Sequence, residues 1–209
     1  TLKNGQKLWG EGIVLTLAGF GPLVAAGSKP VINNAGGDTV SVLATAGNRQ
    51  NVEIRGLTLQ SGGNAIQANA TAANQMGLTI SNVDINTTTG TGINLAANGT
   101  GAFTASLDSN TVTSGNLGIA GVTNSTGVMT LSLSNTTVTA TAANGISLSG
   151  IGSTINITGF ANNAIGGNTT GTGINISNAR FDATRRPERF ALRFDRALMA
   201  LDAAVQGLG

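Results

Sequence analysis

The sequence predicts a mainly β fold, a parallel β-helix of three-strand coils followed by a C-terminal amphipathic helix, and three observations lead there. A unit of about 26 residues recurs along the chain. Each unit alternates apolar and polar residues in short runs, the period of a half-buried strand. Charge is nearly absent from the repeated part: between Gly56 and Ala179 only Asp84 and Asp108 are ionised.

The repeat is seen by aligning the segments that start at Val52, Leu78, Ala105, Leu131 and Ile155, which follow one another at steps of 26, 27, 26 and 24 residues. A sixth copy is expected at Ile174–Phe181 and an earlier one near Pro30-Val31-Ile32. Within a copy, two alternating runs flank a small residue, so that two strands meet at a bend. The bend column reads Gly56, Asn82, Ser109, Asn135, Gly159, Asn178. Gly and Asn reach the left-handed backbone region at low cost, which marks a sharp change of direction. A further landmark, at Ala65-Ile66, Gly92-Ile93, Gly118-Ile119 and Gly145-Ile146, supplies a third strand per unit.

Three strands and three turns per unit describe one coil, each strand pairing with its equivalent one coil later at about 4.8 Å. The columns Val52, Leu78, Ala105, Leu131, Ile155 and Ile54, Ile80, Leu107, Leu133, Ile157 then stack into an aliphatic core. About seven coils are expected, a rod of roughly 30–40 Å. The predicted organisation is an N-terminal opening and capping segment at 1–29, the β-helix at 30–181 and a helix within 182–209.

These residues resemble the right-handed parallel β-helix repeat family, in particular β-helical passengers of bacterial surface proteins of the autotransporter and inverse autotransporter type. The resemblance rests on the Val/Ile-x-Ile-x-Asn/Gly-x-x-Ile repeat, the segment Pro30–Val40 and the opening Asn4–Gly12. Gly62-Gly-Asn-Ala-Ile66 and Phe160-Ala-Asn-Asn163 are also similar to the short repeats of chlamydial polymorphic membrane proteins. The resemblance implies a right-handed solenoid and an extracellular or bacterial cell-surface location. It implies no single activity, because the fold hosts lyases, hydrolases, tailspikes and adhesins.

Composition narrows the chemistry. With no His, Cys or Tyr, thiol chemistry, disulfides and histidine-based triads are excluded. Residues 1–179 carry five basic and five acidic groups, so no basic surface for nucleic acid is expected despite a formal charge of +2. No apolar run of 18 residues is present, so no transmembrane helix is predicted. The chain opens at Thr1 without a leader pattern and reads as a piece of something longer. Asn-x-Ser/Thr triplets, abundant in so Asn- and Thr-rich a chain, are assigned no function.

Polysaccharide lyases and hydrolases of this fold resemble one another in clustering carboxylates with a basic residue on one face. Asp84 and Asp108 fall in different columns, and Glu53 and Arg55 flank Ile54 as an outward surface pair, so no catalytic residue, cofactor or metal ligand is named. The outward columns are mostly hydroxyls and amides: Glu53, Thr79, Ser106, Ser132, Asn156, Asn175; then Arg55, Ser81, Asp108, Ser134, Thr158, Ser177; then Thr58, Asp84, Thr111, Thr137, Ala161. Such an array suits an exposed sheet. It also admits an ice- or surface-binding plane, although charges and Ser interrupt the Thr pattern, and contact with surface glycans, although Trp9 is the sole Trp.

The last thirty residues hold half of the charges. There Phe190, Phe194, Ala197, Leu201, Ala204 and Leu208 recur at steps of 4 and 3, widened by Leu198 and Val205 and bordered by Arg189, Arg193 and Arg196. This predicts an amphipathic helix of about 20 residues, roughly 30 Å long. Phe190, Phe194, Ala197, Leu198, Leu201, Val205 and Leu208 form its association or capping face, which would cover the last coil, pair with other copies of the chain, or lie on a membrane surface. The expected function is a non-enzymatic structural or adhesin-type solenoid that associates with copies of itself or presents loops; the alternative is a fragment of a carbohydrate-active β-helix or an ice-binding solenoid.

Overall fold

The structure, a computed structural model, describes residues 1–17, 21–87, 89–140, 142–166 and 171–181. The first coil comprises β1 (Lys7–Trp9), a hairpin of β2 (Leu15–Leu17) and β3 (Gly21–Val24), then β4 (Val31–Asn34) and β5 (Val40–Ala44). The second holds β6 (Arg49–Arg55), β7 (Thr58–Ser61) and β8 (Ile66–Ala70), and the third β9 (Met76–Ser81), β10 (Asp84–Thr87) and β11 (Ile93–Ala97). Next come β12 (Phe103–Asp108), β13 (Thr111–Ser114) and β14 (Ile119–Thr123), then β15 (Met129–Ser134), β16 (Thr137–Ala140) and β17 (Ile146–Gly150). The final strands are β18 (Ile155–Ala161), β19 (Ala164–Gly166), β20 (Ile174–Ser177) and β21 (Ala179–Phe181).

Every third strand pairs in parallel with its equivalent, giving one sheet of order β1-β6-β9-β12-β15-β18-β21, a second β4-β7-β10-β13-β16-β19 and a third β5-β8-β11-β14-β17-β20. This is a parallel β-solenoid of about five to six turns, fewer than the seven expected. The difference has a local cause. The residues from Val31 are not a whole copy of their own: they pair with Thr58–Ser61, and the matching first strand is Lys7–Trp9, which pairs with Glu53–Arg55. The hairpin β2–β3 is inserted between the two halves of that coil.

The interior is a continuous aliphatic stack. Val52, Ile54, Leu59, Ile66, Ile80, Ile93, Leu107, Ile119 and Ile155 are fully buried, and Met76, Phe103 and Met129, also buried, stack in one column on successive coils. At roughly 1.5–3 kcal/mol for each large side chain removed from water, these columns are the main favourable contribution to the fold. Turns close the coils with left-handed residues. Gly56, Asn82, Ser109 and Asn135 all have φ between 49° and 64°, as the bend column requires.

The last part of the repeat is placed differently from its expected alignment. Ile157 lies opposite Leu131, and a bulge at Thr158 puts Phe160 opposite Leu133, so the bend falls at Asn162 (φ 54°) instead of Gly159. Ile157 and Phe160 therefore follow Leu131 and Leu133 in the inward columns. Ile174–Ser177 pairs with Ile146–Ser149 in the third sheet, so it is a third strand and not a sixth copy of the first. Asn178 is left-handed, but it precedes β21 instead of joining the bend column. The helix predicted within 182–209 lies outside the described residues.

Candidate functional site

The faces of the solenoid differ in how their polar side chains are used. On the first sheet, alternation turns Lys7, Glu53, Thr79, Ser106 and Ser132 outward in one row and Trp9, Arg55, Ser81, Asp108 and Ser134 in the next. Glu53 is engaged from the first coil: its Oε2 lies 3.3 Å from Lys7 Nζ and accepts the Trp9 indole N–H at 3.0 Å. The Arg55 guanidinium sits over the Trp9 ring, 5.9 Å from its centre. Trp9 thus belongs to a strand of the solenoid, a place the sequence reading missed because the inserted hairpin hides the first half of its repeat.

Asp108 lies two coils further on. Its Oδ1 accepts the Ser134 hydroxyl at 2.6 Å and the Asn135 amide at 2.8 Å, and its Oδ2 accepts the Ser109 hydroxyl at 3.0 Å. The Ser134 and Asn135 hydrogen bonds hold this carboxyl below its ordinary range, against a smaller opposing effect of burial. Asp84 is on the second sheet, where its Oδ1 receives Lys29 Nζ at 2.8 Å. The two carboxylates are thus on different faces, each with its own partners, as their different columns implied. Among the described residues no group of three His, Cys, Asp or Glu side chains is placed to hold a metal ion.

The second sheet carries the other feature. Its outward rows are Val31, Thr58, Asp84, Thr111, Thr137 and Asn33, Gln60, Asn86, Thr113, Thr139, each residue in register with the next. Thr111-Val-Thr113 and Thr137-Val-Thr139 expose four threonines on two adjacent strands around the buried Val112 and Val138. Beside them is an open groove of about 300 Å³ lined by Asn33, Ala35, Gln60, Ser61, Gly62 and Asn86. The sequence reading followed only the row through Thr58 and Asp84; the alternation one step further along each strand would have given the amide row.

The seven residues of the predicted association face, Phe190 to Leu208, lie outside the described residues. No described helix is long and apolar enough to cross a membrane. No family model matches the chain, and neither a curated protein nor a solved structure matches it.

Proposed function

We propose that this chain is a non-enzymatic structural or adhesin-type rod, part of an extracellular or bacterial cell-surface protein, that associates with copies of itself and presents its faces and turns to the surroundings. A right-handed coil is part of the reading, since parallel crossover connections are right-handed in nearly all cases. The observation that carries it is the disposition of the three acidic side chains that stand on described strands of the solenoid, Glu53, Asp84 and Asp108. Asp84 is neutralised by Lys29, Asp108 is consumed by three hydrogen bonds, and Glu53 is bound by Lys7 and Trp9. A hydrolase or lyase needs a carboxylate or base free to move a proton at one point of a cleft, and these three are separated and occupied. The resemblance to β-helical passengers supports the location.

The test is turnover. The chain is expected to leave a broad panel of polysaccharides uncleaved, with and without calcium. Cleavage that disappears in Asp84→Asn or Asp108→Asn would replace this reading with the carbohydrate-active one.

A further inference from the structure

Stacked amides elsewhere on the solenoid bond to one another. Asn64 and Asn94 both donate to Gln67 Oε1 at 2.9 Å, Asn98 donates to Asn69 at 2.9 Å and receives Asn124 at 2.7 Å, and Asn162 donates to Asn135 at 3.2 Å. Asn33, Gln60 and Asn86 break this pattern. They occupy one row of the second sheet in direct register, yet among the described residues none of their side-chain amides has a hydrogen-bond partner. They also line the groove, together with Ala35, Ser61 and Gly62. The same row continues as Thr113 and Thr139, both exposed.

We propose that this row, from Asn33 to Thr139, is a binding face for a neutral polysaccharide chain lying along the solenoid axis. Each primary amide offers two donors and an acceptor, and each threonine a donor and an acceptor, the mixed set that sugar hydroxyls match. The groups repeat at about 4.8 Å, so successive hydroxyls of one extended chain can meet successive coils. The groove lining is uncharged, and the neighbouring Lys29 and Asp84 cancel each other at 2.8 Å, so the face has no attraction for an anionic glycan. With no aromatic ring in the row, single contacts are weak and affinity comes from many contacts along one polymer. The face lies on the outer side of the second sheet, starting at its edge strand β4, and its side chains project away from the strand edge, so binding does not depend on self-association.

Affinity electrophoresis of the intact chain tests it, in native gels containing dextran, hydroxyethylcellulose, xyloglucan or mannan, with polygalacturonate as the anionic comparison. The expected result is retardation by at least one neutral polymer, weakened tenfold or more in the triple variant Asn33→Ala, Gln60→Ala, Asn86→Ala and in Thr113→Lys, and kept in Thr79→Ala on the first sheet. Circular dichroism is expected to show all variants folded, since the altered side chains face outward. Retardation by none of the neutral polymers, equal retardation of the triple variant, or a stronger effect of polygalacturonate would each overturn the proposal. So would ice-growth inhibition lost in Thr113→Lys without any glycan retardation, which would assign the face to ordered water.

Discussion

Inside the solenoid the Asn110 side chain accepts the backbone N–H of Val83, one coil earlier, at 3.1 Å. Its amide nitrogen donates to the carbonyl of Ile80 at 3.0 Å, and the residue is 2 % exposed. Asn163 does the same two coils later, accepting Thr136 N–H and donating to Leu133 C=O, both at 3.0 Å. Thr136 joins the two by donating to Ser134 C=O at 2.8 Å and facing Asn110 N–H at 3.4 Å. The bend turns backbone groups away from the regular ladder, and these side chains replace the missing partners.

Replacing Asn110 with Leu keeps the volume and removes both bonds. The Val83 N–H is then left buried without its partner, at about 1–3 kcal/mol, and the Ile80 carbonyl keeps only its place in the ladder. A loss of about 1–3 kcal/mol in urea-unfolding stability is expected, against less than about 0.5 kcal/mol for Thr111→Ala on the outer face. A loss for Asn110→Leu no larger than that of the surface variant would show that the turn rearranges to satisfy itself.

Asp108 makes stability depend on pH in a defined direction. Its carboxyl is held below the ordinary value by Ser134 and Asn135, so the folded state binds a proton less readily than the unfolded chain. The contribution is fully present above the unfolded carboxylate range and disappears as pH falls through the lower folded value. Unfolding midpoints of the intact chain and Asp108→Asn should therefore converge as pH is lowered from neutral towards the acid end. A gap between them that is constant with pH would remove the carboxylate from the account.

Ser109 is the exception in the bend column, a serine at φ 55° where the other positions hold Gly56, Asn82, Asn135 and Asn162. A left-handed conformation costs most L-residues about 1–2 kcal/mol, and asparagine less. Ser109→Asn should raise stability by about 0.5 kcal/mol, visible as a small rise in the urea midpoint with an unchanged slope. A fall would mean that the Ser109 bond to Asp108, at 3.0 Å, outweighs the backbone preference.

The architecture was legible because a solenoid stacks like on like, so its columns are visible as repeats in the sequence. The places that escaped the reading are those where stacking is interrupted. Ile155-Asn-Ile157 alternates as well in one register as in the other, and the bulge at Thr158, which no residue type announces, moves the following pairs so that Phe160 and not Gly159 faces Leu133. The hairpin inserted after Trp9 separates β1 from β4 and breaks the period. The amide row was hidden for a different reason. Asn33, Gln60 and Asn86 look like the bonded amides of other faces in sequence, and only their lack of partners in three dimensions separates them.

The last prediction concerns the ends of the rod. The described solenoid begins with β1, β4 and β5 at the edges of their sheets and finishes with β19, β20 and β21. Strand edges pair with further chain unless covered. The stripe Phe190, Phe194, Ala197, Leu198, Leu201, Val205, Leu208 is the one strongly amphipathic segment in the sequence. If it caps its own coil, the chain should sediment as a monomer and deletion of residues 185–209 should make it aggregate. If it joins chains, the intact protein should sediment above monomer mass with concentration dependence, and Phe194→Ser with Leu201→Ser should release folded monomers. The second result is expected, because so little surface charge leaves weak repulsion between neighbouring rods. Circular dichroism of the 185–209 deletion should show a strand-dominated spectrum that has lost its helical part. A concentration-independent monomer for the intact chain would remove self-association from the proposed function while leaving the solenoid and its outer faces untouched.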